Sequence, residues 1–245
     1  MTRDLLAGKK AVPQSLNLYS YCLNNPVKMI DPAGLVSFCA GEGEDMVCIR
    51  FTQNGWVATK GQGDTTRITD SAEMERLMNG SKAEQARAAY LMLLITHPEI
   101  QGDPAQAGSL NDAMSNISRT STWFDFEVEI FGETQTIHIG IDEREYFLRQ
   151  NGEVIYGEFI KIRNKDSPPT LELRLYQTAF SSIPMLFHIV GHEGAHMLDL
   201  LAEYSKTDDP FFEELFSRER TAYGWNLNFS NIFAFPFTLR IPMVT

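Results

Sequence analysis

The chain has 245 residues, 43% of them hydrophobic, and a formal charge of −11. That length suits one domain with a short appendage and supplies enough apolar residues for a sizeable core. No run approaches the ~18 consecutive apolar residues of a membrane span, and Met-Thr-Arg-Asp does not open the apolar region of a signal peptide. The acidic balance disfavours a nucleic-acid enzyme, whose affinity rests on Lys and Arg neutralising phosphates; a basic stripe and a Gly-rich phosphate loop are both missing. Cys22, Cys39 and Cys48 form neither an even set nor a C-x-x-C pair, so reduced thiols that do not bind metal are expected.

Taken in chain order, the first segment is punctuated by Asn, Pro and Gly and reads as a turn-rich region ending near Gly34. Within it stand Asn17-Leu18-Tyr19-Ser20-Tyr21-Cys22-Leu23-Asn24-Asn25-Pro26 and Asp31-Pro32-Ala33-Gly34-Leu35. These resemble the end of the Rhs/YD-repeat core, N-x-Y-x-Y-x-x-N-N-P followed by D-P-x-G-L, at every fixed position. The resemblance covers about the first 35 residues. It implies that residues 1–35 are the core's C-terminal remnant, an extended arm, and that residues 36–245 are the enclosed C-terminal toxin. It further implies a β-shell as carrier and a cognate immunity protein as partner. The chain would be made in the bacterial cytoplasm and then secreted or delivered into a target cell by a route without a signal peptide.

Beyond the arm, Asp45 to Phe51 and Trp56 to Lys60 flank Asn54-Gly55, a two-residue hairpin signal. Thr69 to Ile95 carries a helical pattern split near Asn79-Gly80-Ser81. Pro98 to Ser121 is polar and rich in small residues, mostly loop with one short helix. Trp123 to Ile130 and Thr134 to Ile141 alternate with period two about Phe131-Gly132-Glu133, the pattern of paired half-buried strands. Tyr146 to Gln150 and Glu153 to Ile162 flank Asn151-Gly152, a second hairpin, and Thr170 to Tyr176 adds a strand.

The stretch Pro184 to Tyr204 follows, apolar nearly all round, as in a helix buried mid-domain. Ser181 or Ser182 can cap it, and Pro184 falls in its first turn, where a missing N–H costs nothing. Inside lies His192-Glu193-Gly194-Ala195-His196. This H-E-x-x-H spacing sets two imidazoles one turn apart on one face, able to reach a single Zn²⁺, with a glutamate beside the first to take a proton from the attacking water. Gly191 and Gly194 each cost roughly 1 kcal/mol against Ala in a helix interior, a cost tolerated where the backbone must lie close to substrate or to a neighbouring strand. The competing reading is a core helix with hydrogen-bonded histidines. His188, one turn before His192, is left out of the metal set. Asp199 either holds a ligand imidazole or caps the helix's solvent side.

A zinc site that hydrolyses needs three protein ligands and an open fourth position. The metzincin continuation is missing, since Asp199 and Ala202 stand where its Gly and His would be, and no histidine follows His196. The third ligand is therefore expected to be a carboxylate. After Asp208-Asp209-Pro210 a further helical pattern places Phe212, Leu215, Phe216 and Glu219 on one face. Glu219 ranks first, then Glu214, with Glu213 a further rival. Glu219-Arg220-Thr221-Ala222 resembles the E-x-x-A element on the second helix of gluzincin-type zinc peptidases. Tyr223, four residues on, either donates to the developing oxyanion or simply packs.

The expected fold is α+β and zincin-like: a mostly antiparallel sheet, the H-E-x-x-H helix, and a second C-terminal helix bearing a ligand. The expected function is that of a zinc metalloendopeptidase toxin acting on a protein or peptide, with His192, His196 and Glu219 on Zn²⁺, Glu193 as base and Tyr223 at the oxyanion. The rivals are a zinc amidase acting on cell-wall peptides, a nuclease toxin, disfavoured by charge, and a binding module with structural histidines.

Overall fold

A computed structural model describes residues 37–52, 54–63, 65–108, 111–114, 120–162, 170–204 and 222. Over these the chain is mixed α+β, with twelve strands in three sheets and three α-helices. The arm at residues 1–35 and the candidate residues Glu213, Glu214, Glu219 and Tyr223 lie outside the described residues.

An antiparallel meander comes first: β1 (Ser37–Ala40), β2 (Val47–Thr52), β3 (Gly55–Lys60) and β4 (Thr66–Asp70). The β2–β3 hairpin is the one expected about Asn54-Gly55, and Gly55 supplies its positive φ of 118°. Two expectations are corrected here. Cys39 and Cys48 stand opposite each other on β1 and β2 and form a disulfide, because strand register brings together thiols that spacing alone leaves unrelated. Thr69 and Asp70 belong to β4 rather than to a helix. The Asp70 carboxylate accepts from the Glu73 amide, so α1 (Ser71–Met78) starts only after it.

The break at Asn79-Gly80 separates α1 from α2 (Lys82–Thr96), which opens on a reciprocal Ser81–Glu84 capping box. α2 is buried along most of its length. Residues 98–121 hold more structure than expected: β5 (Ile100–Gln101), a 3-10 turn (Pro104–Gly108) and β6 (Asn111–Met114). Then come β7 (Ser121–Ile130) and β8 (Glu133–Asp142), a small hairpin of β9 (Phe147–Leu148) and β10 (Val154–Ile155), β11 (Gly157–Ile162) and β12 (Thr170–Leu175).

The main sheet runs β11-β12-β8-β7-β5, with β6 also against β7, and only the β12–β8 pair is parallel. Period-two alternation gives it one apolar face: Phe124, Phe126 and Val128 on β7, Ile137, Ile139 and Ile141 on β8, Leu171, Leu173 and Leu175 on β12, all buried. Against the same core pack α2 and α3 (Ile183–Tyr204). The Met185 amide donates to Ser182 Oγ at 3.3 Å, which identifies Ser182 as the cap of α3. β11 ends the sheet and lies beside α3. No helix among the described residues is long and apolar enough to cross a membrane.

Candidate metal centre

Helical periodicity sets His188, His192 and His196 one turn apart along α3. The rings of His192 and His196 meet edge to face with centroids 4.8 Å apart, and their Nε2 atoms approach to 3.2 Å. Two Zn–N bonds of tetrahedral geometry place their nitrogens about 3.3 Å apart, so the pair fits the chelate expected of it. Burial, then the neighbouring His196 and His188, push the His192 pKa down to about 3. A hydrogen bond to the backbone of Ala222 acts in the opposite direction. An imidazole that gives one N–H to a backbone carbonyl keeps the other nitrogen's lone pair for a metal. Burial also pushes His188 down, to about 4.

Glu193 is half-buried on the side of α3 that meets the sheet edge, and its Oε2 accepts the Phe159 amide of β11 at 2.8 Å. The helix thus holds two imidazoles converging on one point and a carboxylate turned toward the adjacent strand.

On another side α3 packs against α2, and there Gly194 finds its reason. His97, buried at the C-terminal cap of α2, has Nε2 2.8 Å from the Gly191 carbonyl. A Cβ on Gly194 would stand 2.6 Å from that same Nε2 and 2.9 Å from Leu93 Cδ1. The close neighbour of Gly194 is therefore the C-terminal end of α2, not a strand. His97 escaped the sequence reading; the available signal was a lone His ending an apolar helix just before Pro98. Asp199 is half-buried one turn past His196.

Among the described residues no third His, Cys, Asp or Glu completes a metal-holding group with the pair. Ala222, three residues after Glu219, is helical, fully buried and bonded through its backbone to His192. Comparison of the chain with protein-family models, with curated proteins and with solved structures gave no match in any of the three.

Proposed function

We propose that this chain is a zinc-dependent metallopeptidase of gluzincin type with a zincin-like fold, and that residues 36–245 act as the C-terminal toxin of an Rhs-like system. The observation that carries the reading is the approach of His192 and His196 Nε2 to 3.2 Å on a buried helix, with Glu193 beside them facing a sheet edge. Ala222 supports Glu219 as third ligand, since the last residue of the Glu219-Arg220-Thr221-Ala222 element is already against His192.

Zn²⁺ held by His192, His196 and Glu219 would polarise the scissile carbonyl and acidify a water. Glu193 takes the proton from the attacking water and returns it to the leaving amine. Tyr223 donates to the oxygen that gains charge. An immunity protein and an Rhs shell are the proposed partners. The Cys39–Cys48 disulfide accords with a chain delivered out of the reducing cytoplasm.

Elemental analysis of protein purified without chelator tests the centre. One zinc per chain, lost or much weakened in Glu219→Ala, is the expected result; zinc retained in the variant moves the third ligand to Glu214. No zinc after reconstitution would hand the case to a binding module with structural histidines. Glu193→Gln should keep its zinc and lose turnover by at least about 100-fold, the lower range for a general base. Full activity in that variant would sink the mechanism.

A further inference from the structure

We infer that the backbone amide of Phe159 is the positioning group for Glu193, so that the strand beside α3 also aims the carboxylate that moves the proton. The chemical role rests on the peptidase reading; the tether rests on geometry.

In the antiparallel β11–β12 pair, residues alternate between those that bond across the ladder and those that point away. Tyr156 continues that register, and its carbonyl accepts the Tyr176 amide at 3.0 Å. Counting by twos, positions 158 and 160 face β12, whereas positions 157, 159 and 161 present their N–H and C=O groups to the outer edge. The Phe159 N–H is thus directed off the sheet, and Glu193 Oε2 receives it at 2.8 Å. The sheet makes no use of this amide.

Helix and strand run in step to make the contact. Gly157 sits so close to α3 that a Cβ there would meet Ile189, and would lie 3.0 Å from Leu175 Cδ2. Ile189 and Glu193 are four residues apart, about 6 Å of helical rise. Gly157 and Phe159 are two apart, about 6.6 Å of strand. Both contacts therefore form together along one line, and the glycine sets the approach that brings the Phe159 amide within reach. A bond from an amide to a carboxylate is charge-assisted and directional. It removes rotamer freedom that a free glutamate would have to surrender at the moment of reaction.

The test has one arm that needs neither metal nor substrate. Amide hydrogen exchange at Phe159 should be slowed at least tenfold in the wild type relative to Glu193→Ala. Equal rates in the two proteins overturn the tether, whatever the protein's activity. The second arm uses the zinc-loaded protein with unfolded casein as probe. Proline is tolerated on an edge strand where its missing N–H faces outward, so Phe159→Pro deletes this donor without removing a ladder bond. It should lower kcat about 10–100-fold, the scale of a misplaced catalytic group, with KM within twofold and zinc content unchanged. Phe159→Leu, which keeps the amide, should restore most of kcat. Full kcat in Phe159→Pro overturns the positioning role. If Glu193→Gln remains active, the peptidase reading falls and the exchange result still decides the tether.

Discussion

Two sides of α3 carry histidine chemistry, and they behave in opposite ways. On the side toward α2, one buried imidazole meets one carbonyl, His97 to Gly191 at 2.8 Å, and glycine at 194 leaves room for the ring. Complementary groups close on each other there, as buried polar atoms in a core are expected to do. On the other side two imidazoles point their Nε2 atoms at each other across 3.2 Å, and a carboxylate lies on the next residue. Two ring nitrogens of the same kind gathered at one point serve a cation well. Polar groups that hold a structure come in matched pairs, whereas groups that hold a ligand come as likes.

The strongest way to break that contrast is to make one apolar replacement on each side. His196→Leu should abolish measurable zinc binding by titration calorimetry, exceeding the ~10–100-fold cost of losing a mere outer hydrogen bond to a ligand. In chelator, its unfolding free energy should stay within about 1 kcal/mol of wild type, since a single part-buried hydrogen bond between neutral partners contributes no more than that. His97→Leu should do the reverse. It removes a buried hydrogen bond and leaves a misfit, costing about 2–3 kcal/mol in denaturant titration, while zinc affinity in the folded fraction changes little. A large stability loss in His196→Leu would dissolve the distinction.

The same contrast has a pH signature. Burial holds the His97 pKa below its ordinary 6.5 in the folded state. The unfolded chain therefore binds a proton first as pH falls, and stability declines progressively below about pH 6.5. His188, held to about 4 by burial, adds to the decline between those values. Asp142 is held near 2, chiefly by the Arg144 guanidinium against the opposing effect of burial. Its contribution is lost only below about pH 4 and leaves the upper window clear. Denaturation midpoints at pH 7 and pH 5 should differ less in His97→Leu than in the wild type. An unchanged difference would mean that His97 keeps its ordinary basicity.

How much of this was legible beforehand follows from where each signal is stored. The long strands were readable because one face is buried, which forces the alternation at Phe124, Phe126 and Val128 and at Ile137, Ile139 and Ile141. The helical pair at His192 and His196 was readable because one turn is a local spacing. β4 was not, since Thr66-Arg67-Ile68-Thr69-Asp70 offers too short an alternation next to a strong helical pattern. The parallel β12–β8 pairing and the Cys39–Cys48 bond depend on register between distant segments. Phe159 was invisible as a partner for Glu193 because the contacting group is a backbone amide, which every residue but proline possesses. His97 was hidden for a related reason: its partner is a backbone carbonyl, that of Gly191.

The smallest expected effect decides whether that packing is as tight as the geometry says. Gly194→Ala adds one methyl inside α3, and helix propensity alone favours it by about 1 kcal/mol. The new Cβ would lie 2.6 Å from His97 Nε2 and 2.9 Å from Leu93 Cδ1. The far end of a flexible side chain would swing aside at little cost. The His97 ring cannot, because it is buried and its Nε2 is bonded to Gly191 on the same helix. Overpacking of this kind costs about 1–3 kcal/mol, so the net change in denaturant titration should be a loss of roughly 1 kcal/mol. In His97→Ala the obstruction is gone, and there Gly194→Ala should stabilise instead. A gain of stability in the wild-type background would show that α2 and α3 can part without penalty. Close packing would then no longer explain Gly194.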